Sequence, residues 1–143
     1  MLFPISINVD SLTGYSLWRH EDGVDEVVGQ KINPILSYFV TSDISVAAAE
    51  QSKNKSLRIA MIEPDFVQSG EMYVVVTGKS YADDVDDPSD PYAFDPTTLK
   101  IDMKEQRREM RLRFGSNTQN GDYFMGRVIL SLDTGDVRGT GNP

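Results

Sequence analysis

"KEQRREMRLRFGSNTQNGDYFMG", residues 104–126, admits two readings. Its first half carries Lys, Glu, Gln and Arg at the density of a solvated helix or a nucleic-acid arm. Its second half is Gly, Asn and aromatic residues, as in a β-protein. The spacing decides between them. Written as a helix, Glu105–Glu109 and Arg107–Arg111 become like-charge pairs four apart, which repel. Met110, Leu112 and Phe114 recur at every second residue; a helix would scatter them, whereas a strand gathers them on one face, opposite Arg111 and Arg113. The pattern predicts a strand over 109–114 with these three side chains buried. "GSNTQNGD" (115–122) is turn chemistry, with Asn120-Gly121 suited to positive φ. The whole stretch is therefore expected to form a hairpin.

The same period of two recurs outward from it. "LSYFVTSDISV" (36–46) is rich in aromatic and β-branched residues and reads as a strand or two. "LRIAMIEP" (57–64) is apolar and stops at Pro64. "EMYVVVTG" (71–78) is the clearest strand, closed by Gly78. In "FMGRVILSLDTGD" (124–136), Val128, Leu130 and Leu132 alternate with Ile129 and Ser131 ahead of a Thr-Gly-Asp turn. These signals predict a single mostly-β domain over 1–143, an antiparallel β-sandwich or barrel-like fold of about six to eight strands. An α+β domain with a helix at 47–56 or 98–109 is the alternative.

Composition bounds the function. The chain has 143 residues, 39% hydrophobic and 25% charged, ordinary globular usage for one domain. No apolar run reaches the roughly 18 residues of a transmembrane helix. The opening "MLFPISINVD" has no basic residue ahead of its apolar ones and no small-residue cleavage site, so a mature start is expected rather than a signal peptide. There is no Cys, and His20 is the only His, which leaves poor material for a thiolate metal site, a zinc centre or a Ser-His-Asp triad. A carboxylate-dependent glycan hydrolase needs two facing acids in a cleft, and no spacing here fixes such a pair. We expect no enzyme activity, no cofactor and no structural metal.

Charge is segregated. Net charge is −8, yet residues 82–95 hold six Asp and no base, while residues 100–113 hold six Lys or Arg against three acids. The mean field repels nucleic acid, which leaves only a local basic stripe for DNA. Arg107, Arg111 and Arg113 share one strand phase and could follow phosphates. The favoured reading sets them, with Arg108, against carboxylates at a subunit interface, where the planar guanidinium binds acids bidentately. The acidic, Pro-rich segment 79–99 is expected to be a long loop. Asp83, Asp84, Asp86, Asp87 and Asp90 could supply oxygens to Ca²⁺, but their spacing is not that of an EF-hand. A loop facing a partner fits better, with Tyr81, Tyr92 and Phe94 as apolar anchors. Trp18 is a core or interface residue, and His20, beside Glu21 and Asp22, is read as a surface histidine.

Four segments together resemble a known family: "SLWRHEDGVDE" (16–26), "SYFVTSDIS" (37–45), "IEPDFVQSGEMYVVVTGKSYA" (62–82) and the run from "SDPYAFDP" at 89 to "DTGDVRG" at 139. Their most specific parts are "EPDFVQSG" (63–70), "EQRREMRLRFGSN" (105–117) and "GDYFMG" (121–126), in that order. They resemble the C-terminal portion of the tail-hub, or nozzle, proteins of short-tailed bacteriophages, also called packaged-DNA stabilisation proteins. The resemblance implies a β-rich structural virion protein of the tail or neck, assembled in the host cytoplasm. Its partners would be other tail or neck subunits, with portal or adaptor among the candidates, in several symmetric copies. Those proteins are built around a β-propeller. At about 40–50 residues a blade, 143 residues cannot close one, so the resemblance applies to a module. A capsid decoration or cement protein is the competing structural class.

Overall fold

The computed structural model describes residues 5–10, 14–19, 23–45, 55–81 and 83–137. Among these every regular element is a strand. In chain order they are β1 (Ile5–Asp10), β2 (Gly14–Arg19), β3 (Asp25–Val28), β4 (Lys31–Pro34), β5 (Ser37–Val40), β6 (Ile44–Ser45), β7 (Lys55–Glu63) and β8 (Phe66–Gln68). There follow β9 (Met72–Lys79), β10 (Asp87–Pro88), β11 (Tyr92–Phe94), β12 (Ile101–Arg107), β13 (Glu109–Ser116), β14 (Tyr123–Met125) and β15 (Ile129–Val137). The mostly-β expectation is met, and the sheets do not close into a barrel. Strands outnumber the six to eight expected because several are only two or three residues long and because the β1–β2 and β3–β4 pairs lie where no strand was expected. Of the two helices in the alternative reading, 98–109 is replaced by β12, and 47–54 lies outside the described residues.

Two sheets enclose the core. One runs β10-β9-β13-β5, with β11 also on β9 and β6 also on β13; the other runs β12-β7-β15, all pairs antiparallel. Alternation assigns the faces. Met72, Val74 and Val76 of β9 and Met110, Leu112 and Phe114 of β13 point inward and are fully buried, as the period of two predicted. They meet Leu57, Ile59 and Ile62 of β7 and Ile101 and Met103 of β12 in one cluster. The inward set of β7 changes phase between Ile59 and Ile62. Register shifts against both β12 and β15 at this point mark a bulge, which lets both isoleucines face the core. A third, two-stranded sheet, β8–β14, closes one end. Its Phe66 lies 5.5–6.3 Å from the rings of Phe39, Phe94, Phe114 and Tyr123.

The predicted hairpin at 104–126 is corrected. Its strand is real, but β12 and β13 belong to opposite sheets, and the chain crosses between them at Arg108, whose N–H donates to the Lys79 carbonyl at 2.8 Å. Beyond the turn, β14 pairs with β8 and β15 with β7, neither with β13. The turn does contain a left-handed residue, Asn120 at φ 58°. Six residues, 117–122, separate β13 from β14, long enough to leave the sheet. The turn is stitched instead to the β8–β9 connection, through Ser69 N–H to the Asp122 carbonyl and the Thr118 hydroxyl to the Glu71 carbonyl. Gly78 is required where β9 meets β13, since a Cβ there would run into the Glu109 carbonyl.

Candidate functional site

The expected long loop at 79–99 is partly a continuation of the sheet. β10 and β11 both add to the outer edge of β9, with Pro88 opposite Thr77 and Tyr92 opposite Val74. Ser89 fastens the step between them, its N–H donating to the Val76 carbonyl at 2.8 Å and its hydroxyl accepting from Val76 N–H at 3.1 Å. Phe94 is therefore not available as an anchor for a neighbour: it is 3% exposed and packs edge-on to Phe114 in the chain's own core. The β11 alternation that turns Ala93 outward turns Phe94 in.

Tyr92 is likewise engaged within the chain. Its hydroxyl donates to Glu105 Oε1 at 2.6 Å, and Arg107 reaches both Glu105, at 3.4 Å, and Asp87, at 3.0 Å. This network ties β10 and β11 of one sheet to β12 of the other. Glu105 sits at the inward phase of β12, after Ile101 and Met103, and is 9% exposed. A carboxylate at a core position requires partners, and Tyr92 and Arg107 supply them. Burial, then the hydrogen bond to Glu105 and its charge, push the Tyr92 phenol up to about 12 against an opposing backbone contact from Lys104. Arg111 is held by Asp86, with Lys79 and Asp43 at 3.8–3.9 Å in the same charged group. Arg107 and Arg111 thus find carboxylates within the chain, Asp87 and Asp86 from the acidic segment and Glu105 and Asp43 from outside it.

That pairing disperses the acids considered for calcium. Asp86 and Asp87 go to different arginines, and Asp84 accepts the Tyr81 N–H at 2.7 Å. The described residues contain no group of three or more His, Cys, Asp or Glu side chains placed to hold an ion. Arg107, Arg111 and Arg113 do not form the single stripe expected. Arg107 ends β12 facing the interior, while Arg111 and Arg113 lie on the outer face of β13 in the other sheet. Arg108, at the crossing, is exposed, as is Tyr81. The side chains of Trp18 and His20 lie outside the described residues; the backbone of Trp18 pairs with Ser6.

Arg113 differs from the other two. Its guanidinium carbon lies 4.1 Å from the centroid of the Tyr38 ring, no carboxylate among the described residues pairs with it, and its Nε is buried without a partner among them. A cation over an aromatic face is worth about 0.5–1 kcal/mol at an exposed site. Tyr73 lies over Gly115 of the same strand, close enough that a Cβ there would meet its hydroxyl at 2.6 Å.

Several apolar side chains are left in solvent. Among the described residues the β3–β4 hairpin pairs only with itself, and the cross-strand pair Val27 and Ile32 is 59% and 46% exposed. Ile35 and Leu36 follow it, also exposed. On β8–β14 the opposed Val67 and Phe124 are each 73% exposed. Neither surface was singled out in the sequence, although Gly29-Gln30 between Val27-Val28 and Lys31-Ile32 is a readable turn signal.

Two hollows remain. An apolar one of 210 Å³ lies between Phe39, Ile44, Leu112, Phe114, Val128 and Leu130. A polar one of 170 Å³ includes Asp65 and Asp95. Asp65 accepts the Arg127 N–H at 3.2 Å, and Asp95 accepts the Thr97 hydroxyl at 2.7 Å. Hydrogen bonds from Thr97, then Thr98, hold the Asp95 carboxyl below its ordinary range, the reverse of what a proton-donating acid needs.

Fold and surfaces together define a sandwich-like all-β domain that presents sheet faces and apolar strand pairs. Comparison of the chain with protein-family models and with curated proteins finds no match.

Proposed function

We propose that this chain is a structural subunit of a multi-protein assembly and, on the resemblance of its motifs, of a bacteriophage tail or neck, docking on neighbouring virion proteins. The observation that carries the reading is the placement of exposed apolar pairs on opposed strands. Val27 with Ile32, and Val67 with Phe124, give their own domain little burial. A two-stranded hairpin such as β3–β4 is marginal alone and is stabilised when something covers it. Exposed apolar clusters of this kind mark contact sites. The charged network at β10–β12 supports the same reading, since its partners hold one another and present no free acid–base pair to a substrate.

The test is incorporation into particles. Phe124→Asp and the Val27→Lys, Ile32→Lys pair should fold with a melting temperature close to that of the wild type and fail to enter virions. Variants that are packaged normally would remove the docking role from these pairs. Location on the head shell would favour the decoration-protein reading.

A further inference from the structure

Asn120–Gly121 is the one Asn-Gly pair in the chain. It sits in the 117–122 turn, where Asn117, Gln119, Asn120 and Asp122 are exposed. The fold requires the glycine, since a Cβ on Gly121 would stand 2.7 Å from the Thr118 carbonyl oxygen and 2.9 Å from Ser116 Oγ. It also favours the asparagine, which tolerates the left-handed φ of 58° better than most residues. Asn120 is at the same time a fastening. Its main-chain N–H donates to Asp25 Oδ2 at 2.7 Å, which ties the β3–β4 hairpin to the turn. Among the described residues the strands of that hairpin pair with nothing else. The other carboxylate oxygen of Asp25 is buried and has no hydrogen-bond partner among them.

We propose that Asn120 is a self-modification site and that its conversion unties the β3–β4 hairpin from the domain. An Asn amide followed by Gly is open to attack, because no side chain on the next residue blocks the approach. The Gly121 nitrogen gives up its proton and attacks Cγ of Asn120. The Cγ–Nδ2 bond breaks, ammonia leaves with a proton, and a succinimide ring closes. Water opens the ring at one carbonyl or the other, leaving aspartate or isoaspartate. Water is consumed and ammonia released, with no oxidant, reductant or enzyme. In the folded turn the Gly121 N–H is spent on the Thr118 carbonyl at 2.9 Å, so reaction follows local opening of this exposed segment. Either product places a carboxylate beside that of Asp25, and like charges repel. Isoaspartate also adds a carbon to the main chain of a turn held from Thr118 to Glu71 and from Asp122 to Ser69. The chemistry is independent of the docking role proposed above.

Ageing of the purified chain in mildly alkaline buffer tests this. Trypsin releases residues 114–127, which hold both Asn117 and Asn120. Mass spectrometry should find the exchange of amide for acid accumulating at Asn120, in proportion to hydroxide and faster still in urea. Asn117, followed by Thr118, should stay intact. Protein isoaspartyl methyltransferase should label the same peptide. Asn120→Gly, which keeps the left-handed turn and its main-chain donor, should melt as the wild type does and show neither change. The converted fraction, separated by anion exchange, should exchange its β3–β4 amide hydrogens several-fold faster than fresh protein, with those of β9 and β13 unaltered. Asp25→Ala should reproduce that pattern without ageing. No conversion in the folded chain, or equal conversion at Asn117, would overturn the modification. Unaltered hairpin exchange, in the converted fraction or in Asp25→Ala, would overturn the release.

Discussion

Tyr92 carries one hydroxyl on which the join between the two sheets depends. Removing it in Tyr92→Phe leaves Glu105, nearly buried, with Arg107 alone. Losing one partner of a buried acceptor costs about 1–3 kcal/mol, and urea unfolding near neutral pH should show it. The pH dependence follows in sign. The phenol is raised from 10.0 to about 12 in the fold, so the folded state favours its neutral form. Its contribution is complete below pH 10.0 and is lost as pH climbs through about 12. The stability difference between wild type and Tyr92→Phe should therefore shrink over that interval; a constant difference would show that the hydroxyl is not the cause. Part of this site was legible. Carrying the period of two from Ile101 through Met103 puts Glu105 at a core position, and the facing blocks of acid and base suggested pairing. Which Asp meets which Arg was not legible, because it depends on β10 folding back onto β9.

Strands show where local pattern suffices and where it fails. β9 and the apolar face of β13 were readable because their inward residues alternate without a break. Leu112→Ala should cost about 2–5 kcal/mol as a core truncation. Arg111→Ala, removing a partly exposed ion pair, should cost no more than about 1 kcal/mol. Denaturant midpoints of the two variants give the comparison directly. Gly78→Ala should destabilise by about 1–3 kcal/mol, because the added methyl meets backbone that cannot turn aside. The 104–126 hairpin was misread for a physical reason. Alternation says which face a strand buries but not which strand lies beside it, and here β13 takes β9 and β5 while β14 takes β8. β10 and β11, at two and three residues, are too short to show a period at all.

At the scale of the molecule, two sheets meet in one core and are joined by a chain crossing at Arg108 and by the Tyr92–Glu105–Arg107–Asp87 network. Pairing between strands far apart in sequence slows folding into the range of milliseconds to seconds, and stopped-flow refolding followed by far-ultraviolet circular dichroism should place this chain there. The position of β7 extends that thought to the ribosome. It is the middle strand of its sheet, yet both of its partners, β12 and β15, are made long after it. At about 5–20 residues per second, β7 waits roughly 4–15 s between its own synthesis and the arrival of β15. Both edges of this apolar strand are open until β12 is made, and one of them stays open until β15 follows. Translation speed and nascent-chain chaperones, more than the stability of the finished domain, should then set how much of this protein a cell recovers in usable form.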